Sequence, residues 1–232
     1  MSLHKHNIGF TLIELVIVLM IIALLIGAIL KGKQLIDSAQ EKQLEKDFSN
    51  IPLMIYAYQD KYKAIPGDDK NAASRFSGIT ASVQNGDGDG LITGNWFDFN
   101  PATDSTIIWQ HLRLANLMTG EINLSAPDYL PVNALGKPID IQSGSDVANA
   151  SPINDLQGHA LHGTYIICSR GIPGALAISM DIRLDDGNPG TGAMLITPEV
   201  GTFLAGAIPA TVGTNTSTDI SSDKPYIVCM GV

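Results

Sequence analysis

Glu14 is the one ionisable residue in the apolar run FTLIELVIVLMIIALLIGAIL, from Phe10 to Leu30. A run of this length crosses the hydrocarbon core of a bilayer as a helix. A charged carboxylate inside hydrocarbon costs about 2.5–3.5 kcal/mol on insertion scales, so such a group normally has a partner. Gly9 stands just upstream, after a short polar leader from Met1 to Ile8. Hydrolysis after Gly9 would expose a new α-amino group at Phe10, one helical turn from Glu14. A membrane helix with a positive end and a negative side chain can be matched by a copy of itself. The chemistry on offer is cleavage by another enzyme, then ion pairing between chains.

A second set of oxygen ligands lies in Asn85-Gly86-Asp87-Gly88-Asp89-Gly90-Leu91-Ile92. Asn85, Asp87 and Asp89 at alternate positions, a glycine for the sharp turn and the Leu91 carbonyl match the first half of an EF-hand-type calcium loop. The second half departs from it: Trp96 stands where a bidentate glutamate belongs, and Asp98 or Asp104 would have to close the site from outside. The alternative is a glycine-rich turn with solvated aspartates, since Asn-Gly and Asp-Gly are good turn formers. His159 and His162 form an H-x-x-H that would share a face if helical, with His111 elsewhere. A metal site needs further ligands that this pair lacks. Ser169-Arg170-Gly171 lacks the flanking glycine of a nucleophile elbow. These residues point away from an enzyme.

Gly9-Phe10-Thr11-Leu12-Ile13-Glu14-Leu15, followed by unbroken apolar sequence, closely resembles the class III signal of type IV pilins and pseudopilins. An ordinary secretory signal would end in a small-residue A-x-A site, which is absent here. The resemblance implies cleavage between Gly9 and Phe10 by a prepilin peptidase, and N-methylation of Phe10. It implies assembly through Glu14 into a filament with a core of these helices, with other copies, other pilins and an inner-membrane assembly platform as partners. Calcium-stabilised loops occur in some pseudopilins, which favours the metal reading of Asp87 and Asp89. In the pilin family a disulfide near the C-terminus pins the last variable region to the sheet, and Cys168 and Cys229 look like that pair. Two cysteines in an exported chain read the same way. A looser resemblance to prepilin-like proteins rests on PGD after the stalk, GDGDG, the W-x-H-L stretch and DDGNP. Many major pilins carry a proline that melts on assembly where Lys31 stands; here Gly27 and Gly32 flank that position.

These residues need elements to hold them. Ile36, Ala39, Leu44, Phe48, Ile51, Ile55, Tyr58 and Tyr62 recur mostly every three or four residues, the mark of an amphipathic helix. Lys42, Glu45, Lys46 and Asp47 take the other side, Pro52 should kink the helix, and Ala64-Ile65-Pro66-Gly67-Asp68 ends it. Thr106–Leu117 and Pro173–Leu184 read as short helices, and Leu161–Cys168 and Pro225–Cys229 as strands. The resulting expectation is an α+β pilin fold: a long N-terminal helix packed on a small antiparallel sheet. Its parts would be a cleaved leader (1–9), a membrane and stalk helix (10–62) and a globular head (63–232). The Thr-, Ser- and Gly-rich stretch from Ala205 to Asp223 should lie on the surface, as a contact or O-glycosylation segment or as a plain exposed loop.

The formal net charge is −9. From Ala64 onward, Lys70, Arg75, Arg113, Lys137, Arg170, Arg183 and Lys224 face more numerous carboxylates. An acidic head argues against binding phosphate backbones, so no nucleic-acid partner is expected. Lys5 on one side of the apolar run and Lys31 and Lys33 on the other nearly balance the orientation signal. An inner-membrane precursor, then an extracellular pilus or periplasmic pseudopilus, follows from the resemblance and the cysteines. The function expected is a structural subunit of a type IV pilus, serving adhesion or motility. The alternatives are a type II secretion pseudopilin and an anchored calcium-binding or adhesive module that never polymerises.

Overall fold

The first element, α1, is a helix from Leu12 to Tyr62 over 51 residues, with Pro52 inside it. The computed structural model describes residues 11–79, 82–147, 150–201, 203, 205–213 and 219–232. Gly9 and Phe10 lie outside the described residues. The chain divides into two compact units, residues 1–40 and 41–232. In the first unit, helical residues from Leu12 to Leu30 are exposed throughout, including Leu12, Leu19, Leu24 and Ile29. By length and composition this stretch can cross a membrane. Gly27 and Gly32 lie within the continuous helix, with open space around each.

The second unit begins inside the same helix. Leu44, Phe48, Ile51, Ile55 and Tyr58 are buried at helical spacing, while Ile36 and Ala39, placed on the same stripe by periodicity, are exposed. Burial thus starts near Glu41, where there is a head to pack against. Glu45, expected on the solvated side, is half-buried and meets Arg183 at 3.3 Å. Pro52 is accommodated inside the helix and buried.

Four strands form one antiparallel sheet in the order β1-β2-β4-β3: β1 (Ile139–Ser143), β2 (Tyr165–Pro173), β3 (Met194–Pro198) and β4 (Pro225–Gly231). Successive strand side chains point to opposite faces, and the packing follows that period. Ile141, Tyr165, Ile167, Met194, Ile196, Tyr226 and Val228 join the α1 side chains in one core. Ile166, Cys168, Leu195, Ile227 and Cys229 join Trp96, Ile153 and Leu161 in a second. The fold is α+β and pilin-like, as expected, with the second half of α1, from Glu41, packed on the sheet.

Three further α-helices occur among the described residues: α2 (Ala72–Arg75), α3 (Asp104–Leu114) and α4 (Gly174–Leu184). α3 covers most of the expected Thr106–Leu117 helix and buries Ile108, Trp109 and Leu112. The strand expected at Leu161 begins at Tyr165 instead, and Leu161 is buried ahead of it. The segment from Ala205 is not wholly on the surface. Ala210 is fully buried and its N–H donates to the Ile196 carbonyl at 2.6 Å, tying the segment to β3.

Candidate functional site

At the start of α1, the Thr11 N–H donates to Glu14 Oε2 at 2.8 Å and the Thr11 hydroxyl donates to the same oxygen at 2.6 Å. In return the Glu14 N–H donates to Thr11 Oγ1 at 3.3 Å. This is a reciprocal capping box, which satisfies donors that the first helical turn leaves open. Its signal, T-x-x-E ahead of an apolar run, was present in the sequence beside the Glu14 charge. The carboxylate is therefore held at the helix N-terminus, where the macrodipole favours a negative group. Oε1 has no hydrogen-bond partner among the described residues.

The acidic loop is built from two separate stretches. Asp87 Oδ1 accepts from Asp89 N–H at 3.1 Å, and Asp89 Oδ1 accepts from Leu91 N–H at 2.8 Å. Asn85 Oδ1 accepts from Ala73 N–H at 2.8 Å, which anchors the loop to α2. The residue that the loop pattern missed is Asp68, in the turn after α1. Its Oδ2 accepts from Gly90 N–H at 2.9 Å, and its Oδ1 accepts from Gly88 and Asp89, the latter at 3.1 Å. Asp68, Asp87 and Asp89 each offer an oxygen within 4.8 Å of the others. Gly86 permits this approach, because a Cβ there would collide with the Asp68 backbone. Burial raises the Asp68 pKa, against the backbone donors of Gly90 and Gly88 that lower it.

Asp104, a suggested closing ligand, instead accepts from the Thr93 hydroxyl at 2.5 Å and from Thr93 N–H at 3.1 Å. Trp96 is buried on the second core rather than in the loop. The loop leaves toward the sheet through Ile92, whose N–H donates to Ser143 Oγ at 2.7 Å while Ser143 N–H donates to the Ile92 carbonyl at 3.1 Å. The acidic loop is thereby fixed to α1's turn, α2 and the end of β1.

Cys168 and Cys229 form a disulfide between directly opposed residues of β2 and β4. The bond closes a sequence separation of 61 on the face of the second core. The histidines are not brought together by a helix. His159 and His162 lie in a non-helical stretch, and His159 Nδ1 meets Asp155 at 3.0 Å at the surface. His111 is buried on α3 and serves the fold.

Residues 4–30 match the family model described as the prokaryotic N-terminal methylation motif. No curated protein matches the sequence. The matched segment covers the expected leader from His4, Glu14 and the apolar run, and the structure describes it from Thr11 onward. The chain carries the N-terminal methylation motif that is the class III signal peptide of the type IV pilin and pseudopilin family.

Proposed function

We propose that the chain is a non-enzymatic structural subunit of a type IV pilus or pilus-like filament. On this reading a prepilin peptidase cuts between Gly9 and Phe10, Phe10 is N-methylated, and an inner-membrane platform feeds the subunit into a homopolymer that admits other pilins. The observation that carries it is the position of Glu14. It is the sole charge of the apolar run, and its carboxylate is fixed by Thr11 at the N-terminal turn. Phe10 precedes Thr11 directly, so cleavage would create a cation beside that turn. In a packed array of such helices, a neighbour's Phe10 amine is the natural partner for the free Glu14 oxygen.

Calcium at Asp68, Asp87 and Asp89 belongs to the same proposal, as a brace for the loop between α1 and the sheet. The disulfide supports an exported head. Sheared surface filaments that contain the mature chain, beginning at Phe10 by mass spectrometry, test the reading. A mature chain confined to the envelope, with loss of protein secretion in a deletion strain, would assign it to a secretion pseudopilus instead. Full-length chains beginning at Met1 in isolated filaments would overturn the processing step.

A further inference from the structure

The end of α4 and the loop that follows hold a second acidic group, Asp181, Asp185 and Asp186, each with an oxygen within 4.8 Å of the others. It differs from the first group in one respect. Asp181 is wholly buried, yet neither Oδ1 nor Oδ2 has a hydrogen-bond partner among the described residues. The other buried aspartates of the head have donors. Asp69 takes the Tyr58 hydroxyl and Arg75 Nε, Asp104 takes Thr93, Asp140 takes Trp109 Nε1, and Asp68 takes loop amides. A buried polar group without a partner is rare and calls for a specific cause.

No cation among the described residues fills that role. Arg183, the basic residue of the same helix, pairs with Glu41 and Glu45 at 3.3 Å each. The orphaned carboxylate faces two more carboxylates, so the local charge is strongly negative. Burial, then the charges of Asp185 and Asp186, push the Asp181 pKa up to about 7. The loop wraps around this group. Asp185 Oδ2 accepts from Met194 N–H at 2.8 Å, and Asp186 accepts from Asn188 N–H at 2.8 Å and from the Thr191 hydroxyl at 2.6 Å. Gly192, at φ +84°, lets the backbone lie against the Asp185 carboxylate, where a Cβ would overlap it. Carboxylate oxygens retain further lone pairs after one such bond.

We propose that Asp181, Asp185 and Asp186 bind a hard divalent cation, calcium or magnesium, between the end of α4 and the strand-entry loop of β3. All-oxygen carboxylate sets suit these ions rather than zinc or copper. The cation supplies the partner that Asp181 lacks. It also cancels the repulsion among three carboxylates and ties the last turn of α4 to the strand next to the disulfide strand. The proposal rests on the head alone and stands whether or not the chain polymerises.

The test uses the full chain, stripped with chelator in detergent and titrated separately with calcium and magnesium by calorimetry. Wild type should bind one more equivalent than Asp181→Asn/Asp186→Asn. That equivalent should persist in Asp87→Asn/Asp89→Asn, which isolates it from the first acidic loop. The exposed single change Asp186→Asn guards against misfolding and should weaken this equivalent by about tenfold or more, since affinity follows ligand charge. Its titration should coincide with a rise in wild-type melting temperature that Asp181→Asn lacks, because binding the folded form stabilises it. Identical stoichiometry and melting shifts in wild type and the Asp181 variants would overturn the site, as would no uptake of either ion.

Discussion

His111 sits fully buried on α3, with Nδ1 accepting from Gly67 N–H at 2.9 Å and Nε2 against the Gln84 carbonyl at 2.8 Å. An amide donor on Nδ1 places the proton on Nε2, so the ring is neutral and joins the turn after α1 to the stretch before the acidic loop. Burial lowers its pKa. The unfolded chain then takes up this proton first, so the ring's contribution is present above about pH 6.5 and is lost as pH falls toward the folded value. Ring resonances of His111 should report protonation only at lower pH than those of a free imidazole. His111→Ala strands the buried Gly67 N–H, a loss of about 1–3 kcal/mol that denaturant melts should show. Asp181 has the opposite sign. With its pKa pushed up to about 7, its contribution is full below the unfolded carboxylate pKa and is lost as pH rises through 7. In chelator, the wild-type melting temperature should fall between pH 5 and 8 relative to that of Asp181→Asn. An equal pH dependence in both proteins would show that Asp181 does not titrate in this range.

The elements differed in how openly the sequence announced them. α1 was legible because its apolar periodicity and the turn at Pro66-Gly67 agree. α4 was legible from Leu176, Met180 and Leu184 on one face. β1 was not, because Asp140 and Gln142 give it the polarity of a loop. Both are buried, and the donors that make this tolerable come from distant chain: Trp109 Nε1 to Asp140 at 2.8 Å, and Trp96 N–H to Gln142 at 3.3 Å. β3 is five residues long, too short for a period to show. Asp68 was read as a turn residue, and nothing local signals that Gly88 to Gly90 will fold back onto it. Asp181 was hidden likewise, as one polar position on a helix. The disulfide, by contrast, needed only two cysteines and an exported context. Removing it with Cys168→Ala/Cys229→Ala should cost about 2–5 kcal/mol in a denaturant melt.

At the scale of the whole molecule, the capping box changes how Glu14 is weighed. Its charge is already half-satisfied by Thr11 in the single chain, so Glu14→Gln should insert into membranes normally. Assembly is another matter, because leaving one member of a buried pair alone costs about 3–5 kcal/mol, and this would recur at every subunit junction. Normal membrane levels with sharply reduced sheared filaments are the expected outcome; an undiminished filament yield would refute the pairing of Glu14 with a neighbour's Phe10. Gly9→Val should block processing and abolish filaments while leaving the precursor in the membrane, as judged by its retained leader mass.

The place of β4 in the sheet has a bearing on timing. It is the last strand in sequence, yet it lies between β2 and β3 and pairs with both. Once α1 is lodged in the bilayer, the head must wait for Pro225–Gly231 to arrive before its centre can close. On the proposed export route, Cys168 is during that interval a lone thiol in an oxidising space, 61 residues ahead of its partner. Export rate therefore sets how long neighbouring nascent subunits have to cross-link wrongly. A chain stalled before Cys229 is delivered should appear as reducible dimers on a gel, a by-product of putting the final strand in the middle.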